Sequence, residues 1–369
     1  MRNDNAILFE IPNADHRLEE ICVQGLKDKF GDNPPETVAS RLSHELDMVK
    51  KNNHSSTYLL ASMLANEARR LRYFFYFRGT ITSSLISYVS GMSDINLMEK
   101  EYGGIDIPFE TTREEFQGVE PVIEMQVGVS FLIFAQSFLE RMFPEYRLIS
   151  YPLSSVDGIR PLRIYMTKLE DLPCDENETE QQDYVEYADY IFRRDSFCIY
   201  LIGNEKMEQA RRNIIYSDPR FYYEEVALDS MIPELWEYVK EFDDCPDELK
   251  GLKVKTYDEL LSVVSMIHST GIYDGNIKEQ LLAGKLSLSE VIATRDDLFL
   301  YLEGKGIGRK DCFEIMERVR KGRGPSDAQI SIMRDHNVDE WIYGFCEQVR
   351  YIFPKAHIAQ MIRYYAYLI

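Results

Sequence analysis

The sequence contains no closely spaced cysteine pair, and no two His or Cys residues stand at metal-ligand spacing. Its six cysteines (Cys22, Cys174, Cys198, Cys245, Cys312 and Cys346) are scattered. That distribution argues against a disulfide framework and a zinc ribbon, and it predicts reduced thiols in a cytoplasmic protein. No apolar run approaches the roughly 18 residues of a membrane span. The best candidate, VGVSFLIFAQSFLERMF, is broken by Glu140 and Arg141. The first residues, MRNDNAILFEIPNADHR, carry no basic segment followed by an apolar core, so no secretion signal is predicted. No nucleophile–histidine–acid pattern is legible. The nearest approach to a carboxylate pair is Asp106, which Pro108 separates from any second acid and which reads as a turn aspartate.

Basic residues are also scarce: 42 Lys and Arg stand against 62 Asp and Glu, a formal charge of -20. Spread evenly, that excess would oppose binding to a phosphate backbone. It is not even. Residues 169–192 hold nine acids and no base, and residues 221–249 hold ten acids and one base, so outside these two stretches only -2 remains. The first stretch lacks aliphatic periodicity and reads as a surface loop.

With 45% hydrophobic residues, the chain can bury a substantial core. Leu18, Ile21, Leu26 and Phe30 form a helical stripe over residues 17–30, and Gly31 supplies the stop. Pro34 and Pro35 open a second helix with Val38, Leu42, Leu46 and Val49 on one face, and a third helix is predicted over residues 56–72. YFFYF (residues 73–77) reads as a short buried strand, and RGTITSS (residues 78–84) as a turn feeding a helix. Three further strands are predicted from aromatic and β-branched content at residues 146–151, 162–166 and 197–202. From Pro233 onward short helices are punctuated by glycine. Helices, then a small sheet, then a long helical half indicate an α+β fold without βαβ alternation.

Three segments suggest anion contact. In RGTITSS, backbone N–H groups, hydroxyls and Arg78 could cradle a phosphate, although an ordinary capped turn is the simpler reading. RVRKGRG (residues 318–324) gathers Arg318, Arg320, Lys321 and Arg323 at a helix end, where the helix dipole favours cations in any case. FPKAH (residues 353–357) puts Lys355 and His357 at a helix start. The dipole does not favour a cation there, which suggests an anion-facing role.

Taken together, YGGIDIPFE, TYDELL, LSEVIATRDDLFLYL, IMERVRKGRG, HNVDEW and VRYIFPKAH occur in an order that resembles the palm and fingers of bacterial replicative DNA polymerase III alpha subunits of the PolC type. RLSHELDMVKKN resembles the helix leading into that palm, and RGTITSS resembles the family's phosphate loop. Collinear blocks of this kind are stronger evidence than any one short motif. The similarity is dense after Thr256 and patchy between Glu120 and Pro233.

The resemblance implies a small mixed-sheet, nucleotidyltransferase-like palm with a mostly α-helical fingers region. It divides the chain into an N-terminal helical segment (residues 1–72), a palm-like α+β domain (73–220) and a fingers-like helical domain (221–369). It also implies DNA or replisome proteins as partners, with no membrane. The family's chemistry rests on three aspartates that hold two metal ions. Here the matching positions are Val122, Glu124 and, on a strand matched through Gly203, Tyr200. One carboxylate cannot hold two magnesium ions, so the resemblance implies a protein without polymerase activity and with no metal or other cofactor. Thr82 replaces a glycine of the phosphate loop, and the family's cysteine-rich zinc insertion is missing. Arg78, Gly79, Ser83, Ser84, Arg295, Arg320, Lys355 and His357 stand at positions that by resemblance face nucleotide or DNA. Two other readings stay open. One is an active nucleotidyltransferase whose magnesium site is rebuilt from Glu124 with Asp106 or Asp157. The other is a structural relic of a polymerase gene with no ligand.

Overall fold

A computed structural model describes residues 9–98, 123–153, 155, 158–168, 197–217, 228–243, 245–273 and 276–369. The chain divides into two compact units. One comprises residues 1–81, 89–93 and 116–223, the other residues 82–88, 94–115 and 224–369.

The first unit begins with three helices, α1 (Ala14–Phe30), α2 (Glu36–Lys51) and α3 (Ser55–Arg70). Their limits follow local chemistry. Gly31 adopts φ 78° and returns its N–H to Lys27, and Pro35 stands at the N-cap of α2. The expected stripe of α2 is largely realised: Val38, Leu42 and Val49 are buried, whereas Leu46 is half-buried and the neighbouring Glu45 is enclosed. Arg41 bonds to Glu45 at 2.7 Å, supplying the partner that a buried carboxylate needs.

The sheet contains β1 (Phe75–Phe77), β2 (Ile123–Gly128), β3 (Tyr146–Pro152), β4 (Ile159–Lys168) and β5 (Phe197–Asn204). Their spatial order is β1-β2-β5-β4-β3. Among the described strands, only the β2–β5 pair is parallel. The sheet is therefore mixed, as the α+β reading requires. β2 goes beyond the expected strands, and it divides the longest apolar run of the sequence. That run ends β2 at Gly128 and then restarts as helix α4 (Phe131–Met142).

Alternation assigns the two faces of the sheet. Ile123, Met125 and Val127 of β2, Ile199 and Leu201 of β5, and Ile164 and Met166 of β4 are all fully buried. Helices α4 and α5 (Glu205–Ser217) pack on the sheet. An aromatic cluster closes one end, where Phe9 stacks on Phe197 at 4.7 Å and meets Phe143 and Tyr146 at 5.3 Å.

The second unit is helical. Its longer helices are α6 (Ile232–Phe242), α7 (Tyr257–His268), α8 (Arg295–Gly304), α9 (Arg309–Arg320), α10 (Asp327–Asp335), α11 (Glu340–Gln348) and α12 (Lys355–Tyr365). Capping boxes open α7, α8 and α10, at Thr256, Thr294 and Ser326. Helix α8 packs on α9, and α7 packs on α12 and α6. Among the described residues no helix is long and apolar enough to cross a membrane.

Candidate functional site

In the first unit, the face of the sheet opposite the buried one carries a row of polar side chains. The parallel register pairs Glu124 of β2 with Tyr200 of β5. The antiparallel register on the other side pairs Tyr200 with Arg163 of β4. Beyond β1, the N–H of Arg78 donates to the carbonyl of Glu124 at 2.8 Å, which extends the row to a fourth member. Two of the three positions that the resemblance matches to family aspartates, Glu124 and Tyr200, are thus direct neighbours, flanked by one arginine on each side.

All four side chains are half-buried. Arg78 Nη1 lies 3.3 Å from Glu124 Oε1, each side chain being 30% exposed. The Arg163 guanidinium lies 5.9 Å from the centroid of the Tyr200 ring, within range of a cation–π contact. Its Nη1 donates to the Tyr165 hydroxyl at 3.3 Å. That bond is the leading influence holding the guanidinium above its ordinary pKa, with burial acting against it. Further along the same face, Tyr76 donates to Gln126 at 2.7 Å, and both are buried. Polarity is therefore satisfied internally at that end, while the row of four stays half-open. With Arg78 and Arg163 against Glu124, its formal charge is +1.

This donor set does not suit a pair of hard divalent cations. Such ions need several anionic oxygens, but Glu124 has a guanidinium on one side and a phenol on the other. Among the described residues no group of three or more His, Cys, Asp or Glu is placed to hold a metal ion. Val122, Asp106 and Asp157 lie outside the described residues.

The phosphate-loop segment is shared between the two units. Arg78 and Gly79 fall in the first, and Ser83 and Ser84 in the second. Gly79 has φ +75°, a left-handed conformation that a glycine adopts freely. Ser84 is fully buried, and its Oγ accepts from the Ser87 N–H at 3.1 Å.

In the second unit, three of the remaining expected site residues, Arg295, Arg320 and Lys355, meet in an ion cluster around Asp296, Asp297 and Glu317. Arg295 opens α8 yet is only 1% exposed, as is Asp296, and Glu317 of α9 is 2% exposed. Arg295 Nη2 donates to Ser83 Oγ at 3.0 Å. Its Nε and Nη1 stand 3.9 Å from Asp296 and Glu317, respectively. Arg320 reaches back one turn to bond Glu317 through Nε and Nη2, and Lys321 Nζ lies 3.0 Å from the same carboxylate. The Lys355 N–H donates to Asp296 at 2.6 Å, while its Nζ lies 3.7 Å from Asp297. His357 is buried and stacks on Phe353 at 4.6 Å.

Burial lowers the pKa of Arg295 and raises that of Asp296. Burial would also raise Glu317, but the surrounding Arg320, Arg295 and Lys321 outweigh it and hold this carboxyl below its usual range. Arg295 and His357, placed at nucleotide-facing positions by the resemblance, are thus turned inward in this unit. For Arg295 the compensation is electrostatic. Asp296 and Glu317 offer a buried guanidinium the counter-charges it needs, and neither belongs to the set drawn from the sequence. Glu317 was nonetheless visible one turn before Arg320, at the spacing where a helix pairs opposite charges. Arg163 was likewise missed. Its only signal was a period of two with Tyr165 inside an apolar strand.

Residues 16–124 match the family described as "Bacterial DNA polymerase III alpha NTPase domain". A DNA polymerase III PolC-type protein of Caldanaerobacter subterraneus subsp. tengcongensis is 22% identical over 94% of this chain and 32% of its own length. One from Pediococcus pentosaceus is 22% identical over 96% of the chain, again 32% of its own length. A third, from Oceanobacillus iheyensis, is 40% identical over 31% of the chain and 8% of its own length. The chain therefore spans about a third of the length of the curated relatives that match it throughout. Set beside the mixed sheet and the helical second unit, these similarities show that the chain resembles, along nearly its whole length and at 22% identity, PolC-type DNA polymerase III proteins of bacteria.

Proposed function

We propose that this chain is a cytoplasmic polymerase-family protein in which residues 73–220 form a palm-like domain and residues 221–369 a fingers-like domain. It carries out no nucleotide addition and acts by binding replisome proteins or nucleic acid. The observation that carries this reading is the row Arg78–Glu124–Tyr200–Arg163. Two-metal phosphoryl transfer needs a concentration of negative oxygen to hold its cations, and this row has a net positive charge. Arg295, Arg320, Lys355 and His357 act in this reading as packing and charge-balancing residues of the fingers-like domain, because their charges and rings are engaged by Asp296, Asp297, Glu317 and Phe353.

The test is primer extension with magnesium and with manganese, using the full chain and Glu124→Gln. The expected result is no incorporation above background in either metal. Robust incorporation that Glu124→Gln abolishes would overturn the proposal and establish a rebuilt metal site.

A further inference from the structure

The same row has a chemistry of its own, apart from what it lacks. Across the sheet, neighbouring strands stand about 4.8 Å apart, so Arg78 and Arg163 are separated at the backbone by three such steps, about 14 Å. Between them lie one carboxylate and one aromatic ring. A guanidinium presents five N–H donors in a fixed fork. Among the described residues, the side-chain partners of Arg78 and Arg163 are Glu124 in the first case, and Tyr165 and the Tyr200 ring in the second. Among the described residues, most of their N–H donors have no side-chain partner. The inward-facing neighbours of the row, Ile123, Met125, Ile199, Leu201 and Ile164, are fully buried. The row therefore sits on a rigid strand platform, and a ligand there meets pre-positioned groups.

We infer that this row is a metal-independent binding surface for single-stranded nucleic acid, in which Arg78 and Arg163 hold backbone phosphates and Tyr200 stacks an unpaired base. The inference rests on the proposed non-catalytic role and deepens it by naming ligand class and residues. Phosphate favours the bidentate geometry of arginine. An aromatic ring beside cations is the combination that binds single strands without reading their sequence. A duplex would offer phosphates but no free base face to Tyr200. Glu124 opposes the ligand, because it occupies Arg78 and places a negative charge in the row.

That last feature gives the test its sign. Fluorescence anisotropy of a labelled oligothymidylate with the full chain in EDTA should show binding that weakens as salt rises. Arg78→Gln and Arg163→Gln should each weaken it roughly tenfold and make the salt slope shallower by about one. Tyr200→Ala should weaken it about tenfold, the scale of one lost base stack, whereas Tyr200→Phe should retain binding. Glu124→Gln should tighten it several-fold. Arg163→Lys keeps the charge and should recover part of the loss, separating a ligand role from a folding defect.

Binding that requires magnesium, or that Glu124→Gln weakens, overturns the inference, as does binding unchanged by all four neutralising or truncating variants. Equal competition by duplex removes the role of Tyr200 and overturns it too. Displacement by polyglutamate as effective as by oligothymidylate would identify an acidic protein segment as the partner instead. Primer extension on the same preparation reports separately. Incorporation there sinks the non-catalytic reading, whatever happens in EDTA, while absence of binding in EDTA sinks this inference alone.

Discussion

Replacing Arg295 with methionine isolates the energetics of the buried ion cluster. The guanidinium is 1% exposed and lies 3.9 Å from each of two carboxylates. At an effective dielectric of about 20, each such contact is worth about 4 kcal/mol of attraction. Taking the charges out of water costs several kcal/mol per ion, so the pairs yield far less than that sum. Arg295→Met removes the attraction but leaves Asp296 and Glu317 enclosed, so the expected loss is that of a broken buried pair, about 3–5 kcal/mol. Arg320→Met makes an internal comparison. That side chain is 15% exposed and Lys321 remains on Glu317, so its loss should be about 1 kcal/mol. The assay is urea unfolding followed by tryptophan fluorescence, which reports on the second unit alone, because the two tryptophans, Trp236 and Trp341, lie in α6 and α11. With a slope of about 2 kcal/mol per molar urea, Arg295→Met should move the midpoint down by about 1.5–2.5 M. A shift under about 0.5 M, or an Arg320→Met effect as large as that of Arg295→Met, would refute the view that the buried guanidinium balances this unit.

The same cluster gives a pH dependence. Glu317 is held below its ordinary pKa, so it contributes stability that is present above the unfolded-state value of about 4.3 and is lost as pH falls through the lowered folded value. The stability difference between wild type and Glu317→Gln should therefore be constant from neutrality to about pH 5 and shrink below about pH 4. A difference that grows on acidification would contradict the assignment. Gly271 has φ +81°, and an added Cβ would collide with the Gln348 carbonyl oxygen. It sits beside the Thr270–Tyr351 bridge, so Gly271→Ala should cost about 2–4 kcal/mol through backbone strain and overpacking. Tryptophan-monitored unfolding would show an unchanged midpoint if the turn can relax. Thr294→Ala removes the cap of α8, whose Oγ1 accepts from the Asp297 N–H at 3.2 Å. It should cost about 1 kcal/mol by the same assay, and no change would mean that water replaces the cap.

Much of the local structure was legible in the residues. Gly31 and Pro35 mark helix limits because one tolerates positive φ and the other suits a helix start. The strands at residues 146–151, 162–166 and 197–202 were readable because aromatic and β-branched residues pack on a pleated surface. β2 was obscured because its apolar residues run on into α4, leaving little contrast between a strand and a helix start.

By itself, the sequence determined the fold class, the helix and strand content of most segments and the resemblance to PolC-type polymerases. The tertiary structure decided which side chains stand next to Glu124. Parallel pairing of β2 with β5 joins residues far apart in the chain, and no local pattern encodes that register, so the row with Tyr200 and Arg163 emerges only when the sheet is assembled. It also decided the fate of Arg295. The resemblance puts Arg295 at a nucleotide-facing position, whereas the packing of α8 on α9 encloses it beside Glu317, whose carboxylate offsets part of the cost of burying that guanidinium.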